Sequence, residues 1–135
     1  MAREQAPASR LILDSGAIIA ITRGKSRPLI EFTKMRRRYS LVTVPAVVVA
    51  EVIRGGPADA IVNRFLKTVD EIAAVSERTA RRAGALLATA GRSDTVDALV
   101  VAEAALGGSA VVMTGDPDDL KALAEGLGNV RVVIV

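Results

Sequence analysis

The residues most able to do chemistry in this chain of 135 residues are acids placed beside apolar segments. Two of them follow apolar runs that are typical of buried strands, and two lie within apolar segments of helical period. A carboxylate in such surroundings needs a cation or a metal ion as its partner. The four acids are Asp14, Glu51, Asp97 and Asp116.

Topology predicts that these acids converge. Strand and helix patterns alternate along the chain, which indicates a parallel sheet covered on both faces. The carboxyl ends of parallel strands meet at one edge, where Asp14 and Asp116 would lie. A helix that feeds a parallel strand begins at the same edge, which adds Asp97 and, one turn earlier, Asp94.

The composition limits what such a cluster can bind. The sequence contains neither Cys nor His, so a metal ion would be held by oxygen atoms alone. Oxygen ligands favour Mg²⁺ or Mn²⁺. Clustered carboxylates repel one another, and a divalent cation relieves that repulsion. Because no His or Cys is available, a water activated by the metal is the expected nucleophile for phosphodiester hydrolysis.

Each acid also has a structural explanation, which the residues alone leave open. Asp14 and Asp116 suit the N-cap positions of helices, and Asp116 precedes a proline. Glu51 is spaced to form an ion pair with Arg54 on the same helix face. Asp97 and Asp94 suit the first turn of a helix, where acids favour the dipole.

The pattern divides the chain into a predicted mobile tail, residues 1–10, and a single domain, residues 11–135. The tail lacks the apolar stretch of a secretory signal, and no apolar run is long enough to span a bilayer, so we expect a cytoplasmic protein. Predicted strands cover residues 11–13, 41–43, 71–75, 110–114 and 130–135. Predicted helices cover residues 15–22, 28–38, 45–54, 58–69, 76–90, 94–106 and 117–126.

The charge suggests a polyanionic partner. The formal net charge is +3, although the acids above would be concentrated at one edge. Aromatic residues make up only 2% of the chain, which disfavours a base-stacking platform and favours electrostatic contact with a nucleic acid. Arg23, Lys25 and Arg54 flank segments that carry the acids, so they are the candidate RNA contacts.

Four motifs resemble those of the PIN-domain nucleases, especially bacterial toxins of the virulence-associated protein C (VapC) type. The first is Leu-Ile-Leu-Asp-Ser, which contains Asp14 and Ser15. The second and third are Val-Pro-Ala-Val-Val-Val-Ala-Glu-Val, with Glu51, and Asp-Ala-Leu-Val-Val-Ala-Glu-Ala, with Asp97. The fourth is Val-Met-Thr-Gly-Asp-Pro-Asp-Asp-Leu, which contains Thr114 and Asp116. Together they extend from Leu11 to near the end of the chain.

This resemblance implies a three-layer α/β/α fold with a mostly parallel sheet of four or five strands. It also implies a Mg²⁺- or Mn²⁺-dependent endoribonuclease, frequently homodimeric, that acts as the toxin of a toxin–antitoxin pair and is blocked by its antitoxin. The four main acids would be the catalytic and metal-ligating residues. Possible auxiliary residues are Asp94, Thr114, Asp118, Asp119 and Ser15.

Other classes of function fit less well. A phosphorylated receiver domain needs a Lys after its last strand, and here that strand ends the chain. A phosphatase with an Asp-x-Asp nucleophile is disfavoured because Asp14-Ser15-Gly16 lacks the second acid. The alternative that stays open is a PIN-like module that binds RNA or protein for regulation without cleaving anything.

Overall fold

The computed structural model describes residues 9–39 and 41–135, which form five strands and seven helices. The strands are β1 (Arg10–Leu13), β2 (Leu41–Pro45), β3 (Glu71–Ala73), β4 (Ala110–Thr114) and β5 (Val130–Ile134). The helices are α1 (Ser15–Thr22), α2 (Ser26–Arg38), α3 (Ala46–Val52), α4 (Asp59–Leu66), α5 (Glu77–Ala90), α6 (Thr95–Ala105) and α7 (Pro117–Ala124). Most of the predicted tail lies outside the described residues, while Arg10 begins β1.

The five strands form one parallel sheet in the order β3-β2-β1-β4-β5. This confirms the predicted α/β class and its parallel sheet. The chain moves from β1 to β2 and β3 on one side, and then crosses to β4 and β5 on the other side. The crevice between the carboxyl ends of β1 and β4 is therefore the topological switch point, where open α/β sheets usually bind ligands.

Helices cover both faces of this sheet. Right-handed crossovers in opposite directions place the helices on opposite faces. Consistent with this, α1 contacts α2 and α4, whereas α5 contacts α6 and α7. The short helix α3 contacts both α1 and α6, so it connects the two helical layers.

The central strands explain why the switch point is firmly positioned. Leu11, Ile12 and Leu13 of β1 are fully buried, and every residue of β4 is buried. Such continuous burial is expected for parallel strands that are covered on both faces. Asp14 and Thr114 therefore lie at the carboxyl ends of two fully covered strands.

Helix α5 begins and ends as its capping residues predict. The Ser76 hydroxyl accepts a hydrogen bond from the Thr79 amide at 3.1 Å at the start of α5. Gly91 ends α5 with a φ of 64°, a left-handed conformation that glycine adopts without steric strain. Among the described residues, no helix has both the length and the apolar character needed to cross a bilayer.

Candidate metal centre

Asp14 and Thr114 leave the two central strands side by side. Leu13 pairs with Met113 in the parallel ladder, and the Asp14 amide donates to the Met113 carbonyl at 3.2 Å. Asp14 Oδ1 accepts from the Ala17 amide at 2.9 Å and so caps α1. Thr114 is buried, its Oγ1 donates to the Asp116 carbonyl at 3.2 Å, and the hydroxyl lies close enough to Asp14 to lower the pKa of that carboxyl. The capping explanation for Asp14 is thus correct, and the same side chain reaches the switch point.

Two glycines allow the loops after β1 and β4 to approach each other. A Cβ added to Gly16 would lie 3.0 Å from the Gly115 backbone nitrogen, which is too close for an ordinary contact. A Cβ on Gly115 would lie 3.4 Å from the Gly16 carbonyl oxygen. Sequence reasoning missed this contact, although a glycine within two residues of the acid in both motifs was a usable signal. The pair keeps Asp14 close to the segment that carries Asp116.

Glu51 and Asp97 approach Asp14 from two helices. Glu51 lies on α3, which contacts both α1 and α6, and Asp97 lies in the first turn of α6. Burial raises the pKa of Asp14 above its ordinary value, and the nearby charge of Glu51 raises it further. Hydrogen bonds, led by that of Thr114, act in the opposite direction. Three of the four predicted acids therefore share one electrostatic environment.

Asp97 shows the strongest effect of this crowding. Its pKa rises to about 7, first because of burial and then because other acids lie nearby. In order of decreasing influence, these acids are Asp94, Asp14, Asp119 and Glu51. A carboxylate that ionises only near neutral pH lies where a bound cation would offset the cost of burial and relieve the repulsion between the acids.

Three carboxylates form a compact group. Ligand oxygens of Asp94, Asp97 and Asp119 all lie within 4.8 Å of one another. Asp94 caps α6 by accepting from the Asp97 amide at 3.0 Å, and Asp119 lies in the first turn of α7. Asp119 also forms an ion pair with Arg92. Asp119, considered above only as an auxiliary residue, is thus grouped with Asp97 in the structure.

Asp116 lies at the N-cap of α7, but its exposed side chain makes no capping hydrogen bond. Its backbone amide donates to Thr114 Oγ1 at 3.0 Å instead. It is not a member of the three-carboxylate group. Asp118 is exposed in the first turn of α7, and Ser15 is half-buried at the start of α1.

The ion-pair explanation for Glu51 is wrong. Within residues 9–39 and 41–135, no ion pair joins Glu51 to Arg54. The Arg54 backbone amide donates to Asp59 Oδ1 at 3.0 Å, and its side chain is exposed. The other two candidate RNA contacts, Arg23 and Lys25, are exposed in the turn between α1 and α2.

The donor set fits a hard divalent cation. Every candidate ligand is a carboxylate or a hydroxyl oxygen, which is the chemistry that Mg²⁺ and Mn²⁺ prefer. A cavity of about 590 Å³ elsewhere, between α5 and α7, contains none of these acids. Fold and site together define an α/β domain with an acidic crevice at the switch point of a parallel sheet.

Comparison with known proteins identifies the family. The model of the PIN domain family matches residues 11–126, so this chain belongs to that family. No curated protein sequence matches the chain. The fold is similar to that of solved toxin–antitoxin structures, at low sequence identity.

Three such structures illustrate the similarity. DNA-bound VapBC from Salmonella typhimurium has a TM-score of 0.70 at 18% identity, over 93% of this chain and 97% of that chain. VapBC2 from Rickettsia felis, bound to a promoter DNA fragment, has a TM-score of 0.68 at 13% identity, over 93% of this chain and 98% of that chain. VapBC-5 from Mycobacterium tuberculosis, a member of the VapBC family of toxin–antitoxin systems, has a TM-score of 0.52 at 20% identity, over 96% of this chain and 100% of that chain.

Proposed function

We propose that this protein is a Mg²⁺- or Mn²⁺-dependent endoribonuclease. The observation that carries the proposal is the convergence of acids on Asp97, whose pKa is raised to about 7 first by burial and then by these neighbouring charges. PIN domains are typically nucleases, and the acids here form a group suited to a metal ion. Asp14, Glu51 and Asp97 would be metal ligands, completed by Asp116 and Asp119 from the segment that begins α7.

The protein's own residues would act by position. Asp14 is fixed by its bond to Ala17 and by burial, so it would hold its carboxylate in place without reorganisation. The Thr114 hydroxyl would favour the ionised form of Asp14 and so oppose burial, which raises the pKa of Asp14 overall. When bound, the cation would lower the pKa of a coordinated water and stabilise negative charge on the scissile phosphate.

An RNA strand would be attracted by cations outside the acidic crevice. Helix α2 carries five cations and one acid, Glu31. The five are Arg27, Lys34, Arg36, Arg37 and Arg38. Arg36, Arg37 and Arg38 end α2 just before β2 begins, at the amino edge of the sheet, so they would attract RNA only at long range. Arg23, Lys25 and Arg54 would neutralise backbone phosphates without reading bases.

We further propose that the protein is the toxin of a toxin–antitoxin pair. The support is its fold, which is similar to that of toxin–antitoxin structures. Exposed apolar residues, Leu29 and Ile30 on α2 and Ile61 on α4, are suitable for contact with a protein partner. The proposal includes a cognate antitoxin that blocks the acidic crevice, a homodimer, and a cytoplasmic location, where RNA substrates are found.

The direct test is cleavage of structured RNAs by the purified protein with Mg²⁺, Mn²⁺ or a chelator. Glu51→Gln and Glu125→Gln are matched variants, because each removes one carboxylate charge from an otherwise similar side chain. Glu125 is exposed and lies beside the cavity between α5 and α7. We expect metal-dependent cleavage by the wild type and by Glu125→Gln, and at least roughly 100-fold slower cleavage by Glu51→Gln.

Two results would contradict the proposal. Cleavage that continues in the chelator would exclude a metal-dependent site. RNA binding without cleavage by the wild type, across a broad set of RNAs and both metals, would favour the non-catalytic binding module instead. The antitoxin is tested separately, by adding the product of a neighbouring short reading frame and measuring loss of cleavage.

A further inference from the structure

Arg92 lies at the margin of the acidic crevice and contacts one of its carboxylates. It is in the connection between α5 and α6, directly after Gly91, and its guanidinium pairs with Asp119. Among the described residues, it is the only cation in an ion pair with any of the five converging acids. Those acids are Asp14, Glu51, Asp94, Asp97 and Asp119.

The position of Asp119 makes this pair relevant to metal binding. Its carboxylate lies within 4.8 Å of ligand oxygens of Asp94 and Asp97, so a cation held by the group would contact Asp119 as well. A guanidinium and a divalent cation cannot both neutralise the same carboxylate at close range without repelling each other. Arg92 and a bound metal ion would therefore compete for Asp119.

The exposure of the pair makes this competition reversible. The side chains of Arg92 and Asp119 are 42% and 48% exposed, so solvent screens their attraction. A divalent cation that several carboxylates hold would displace a single exposed guanidinium. Once released, the planar guanidinium has donors suited to a phosphate and lies beside the crevice.

We propose that Arg92 is a resident counter-ion of the acidic group, which a divalent cation displaces from Asp119 and which then contacts a phosphate of the RNA. This inference rests on the proposed metal-dependent cleavage. It assigns two linked functions to one side chain: Arg92 weakens metal binding in the absence of RNA and helps to bind RNA once the metal is present.

A purely structural function predicts something different. Arg92 would then only join the connection between α5 and α6 to α7 through Asp119. In that case its removal would loosen the acidic group, and metal affinity would fall or stay unchanged. The sign of the change in metal affinity therefore separates the two functions without any measurement of activity.

The test compares Arg92→Gln with Arg81→Gln. Arg81 forms an ion pair with Glu77 on α5, so the control also removes one positive charge and one ion pair. Calorimetric titration with Mg²⁺ at low salt should show that Arg92→Gln binds about two to five times more tightly than wild type, the range for one exposed ion pair. Arg81→Gln should match the wild type, and Arg92→Lys should lie between.

RNA cleavage at saturating Mg²⁺ tests the proposed contact between Arg92 and a phosphate of the RNA. Arg92→Gln should lower kcat/KM by at least about tenfold, because a charged hydrogen bond to the phosphate is lost. Arg92→Lys should recover part of that loss because it keeps the charge. Melting curves without metal confirm that all three variants fold.

The outcomes are distinguishable. Mg²⁺ affinity in Arg92→Gln that is no higher than in Arg81→Gln overturns the counter-ion function while leaving the proposed cleavage intact. Unchanged kcat/KM with raised Mg²⁺ affinity overturns the phosphate contact alone. A wild type that binds no divalent cation overturns this inference together with the proposed function.

Discussion

Replacement of Asp97 by Asn should stabilise the metal-free protein. The pKa of Asp97 is raised from 3.8 to about 7 by burial and neighbouring acids, so its ionisation is unfavourable in the folded state. A shift of this size corresponds to an upper limit of about 4 kcal/mol, at roughly 1.4 kcal/mol per pKa unit. Because Asp97 is only half-buried and solvent screens part of the repulsion, we expect a gain of about 1–2 kcal/mol.

The gain must depend on pH with a definite sign. Between the unfolded and folded pKa values, the folded protein holds a proton that the unfolded chain has lost, so wild-type stability falls as pH rises. Asn does not titrate. The stability difference between variant and wild type should therefore be small near pH 4, grow as the pH approaches 7 and be largest at about pH 8.

Chemical denaturation in a chelating buffer at several pH values measures this difference, with Glu125→Gln as the control. Adding Mg²⁺ at about pH 8 should then raise the melting temperature of wild type far more than that of Asp97→Asn, since a ligand stabilises only the state that binds it. A variant that is less stable than wild type at every pH, and that keeps the full Mg²⁺ shift, would refute the reasoning.

Three further predictions concern stability and binding. Arg10→Ala should lower the free energy of unfolding by about 2–4 kcal/mol, because the side chains of Arg10 and Glu103, paired at 2.7 Å, are only 13% and 14% exposed. Arg81→Ala, which removes an exposed ion pair, should lower it by under about 1 kcal/mol. Equal losses of the two variants in denaturant titrations would contradict this prediction. Ser76→Ala should lower the free energy of unfolding by about 1 kcal/mol, because Ser76 caps α5. Asp116→Ala should lower it by under about 0.5 kcal/mol, because Asp116 makes no capping hydrogen bond. A larger loss for Asp116→Ala would support the N-cap explanation of this residue. RNA affinity should fall steeply with salt, and a salt-independent affinity would exclude an electrostatic interface. Replacement of the exposed Arg54 by Ala should reduce the slope of log K against log salt by about 0.7 for single-stranded RNA.

Most strands and helices were predictable from the sequence, because the apolar periodicity and the capping residues indicated the same element limits. The limits of α1 and β4 match the prediction, and Ser76 and Gly91 bound α5 as expected. Differences arose where turn geometry decided the boundary. Pro45 was expected to open a helix, but it ends β2 and serves as the N-cap of α3, because its extended backbone continues the strand.

The site was only partly predictable. Alternation of strands and helices was enough to bring Asp14 and Asp97 to one edge, because topology alone controls that placement. The resemblance ranked Asp116 above Asp119, but the residues alone could not test that order, because both lie at the start of one helix and only side-chain direction separates them. Arg92 was missed for a similar reason, since its partner Asp119 is 27 residues away along the chain.

Location of a bound Mn²⁺ ion by anomalous X-ray diffraction would test the central claim most directly. Crystals of the wild type grown with Mn²⁺ should show an anomalous peak coordinated by the carboxylate of Asp97 and by at least one of Asp14, Glu51 and Asp119. Crystals of Asp97→Asn prepared in the same way should lose that peak. Absence of a peak at the switch point in the wild type, at Mn²⁺ concentrations that support RNA cleavage, would contradict the proposal.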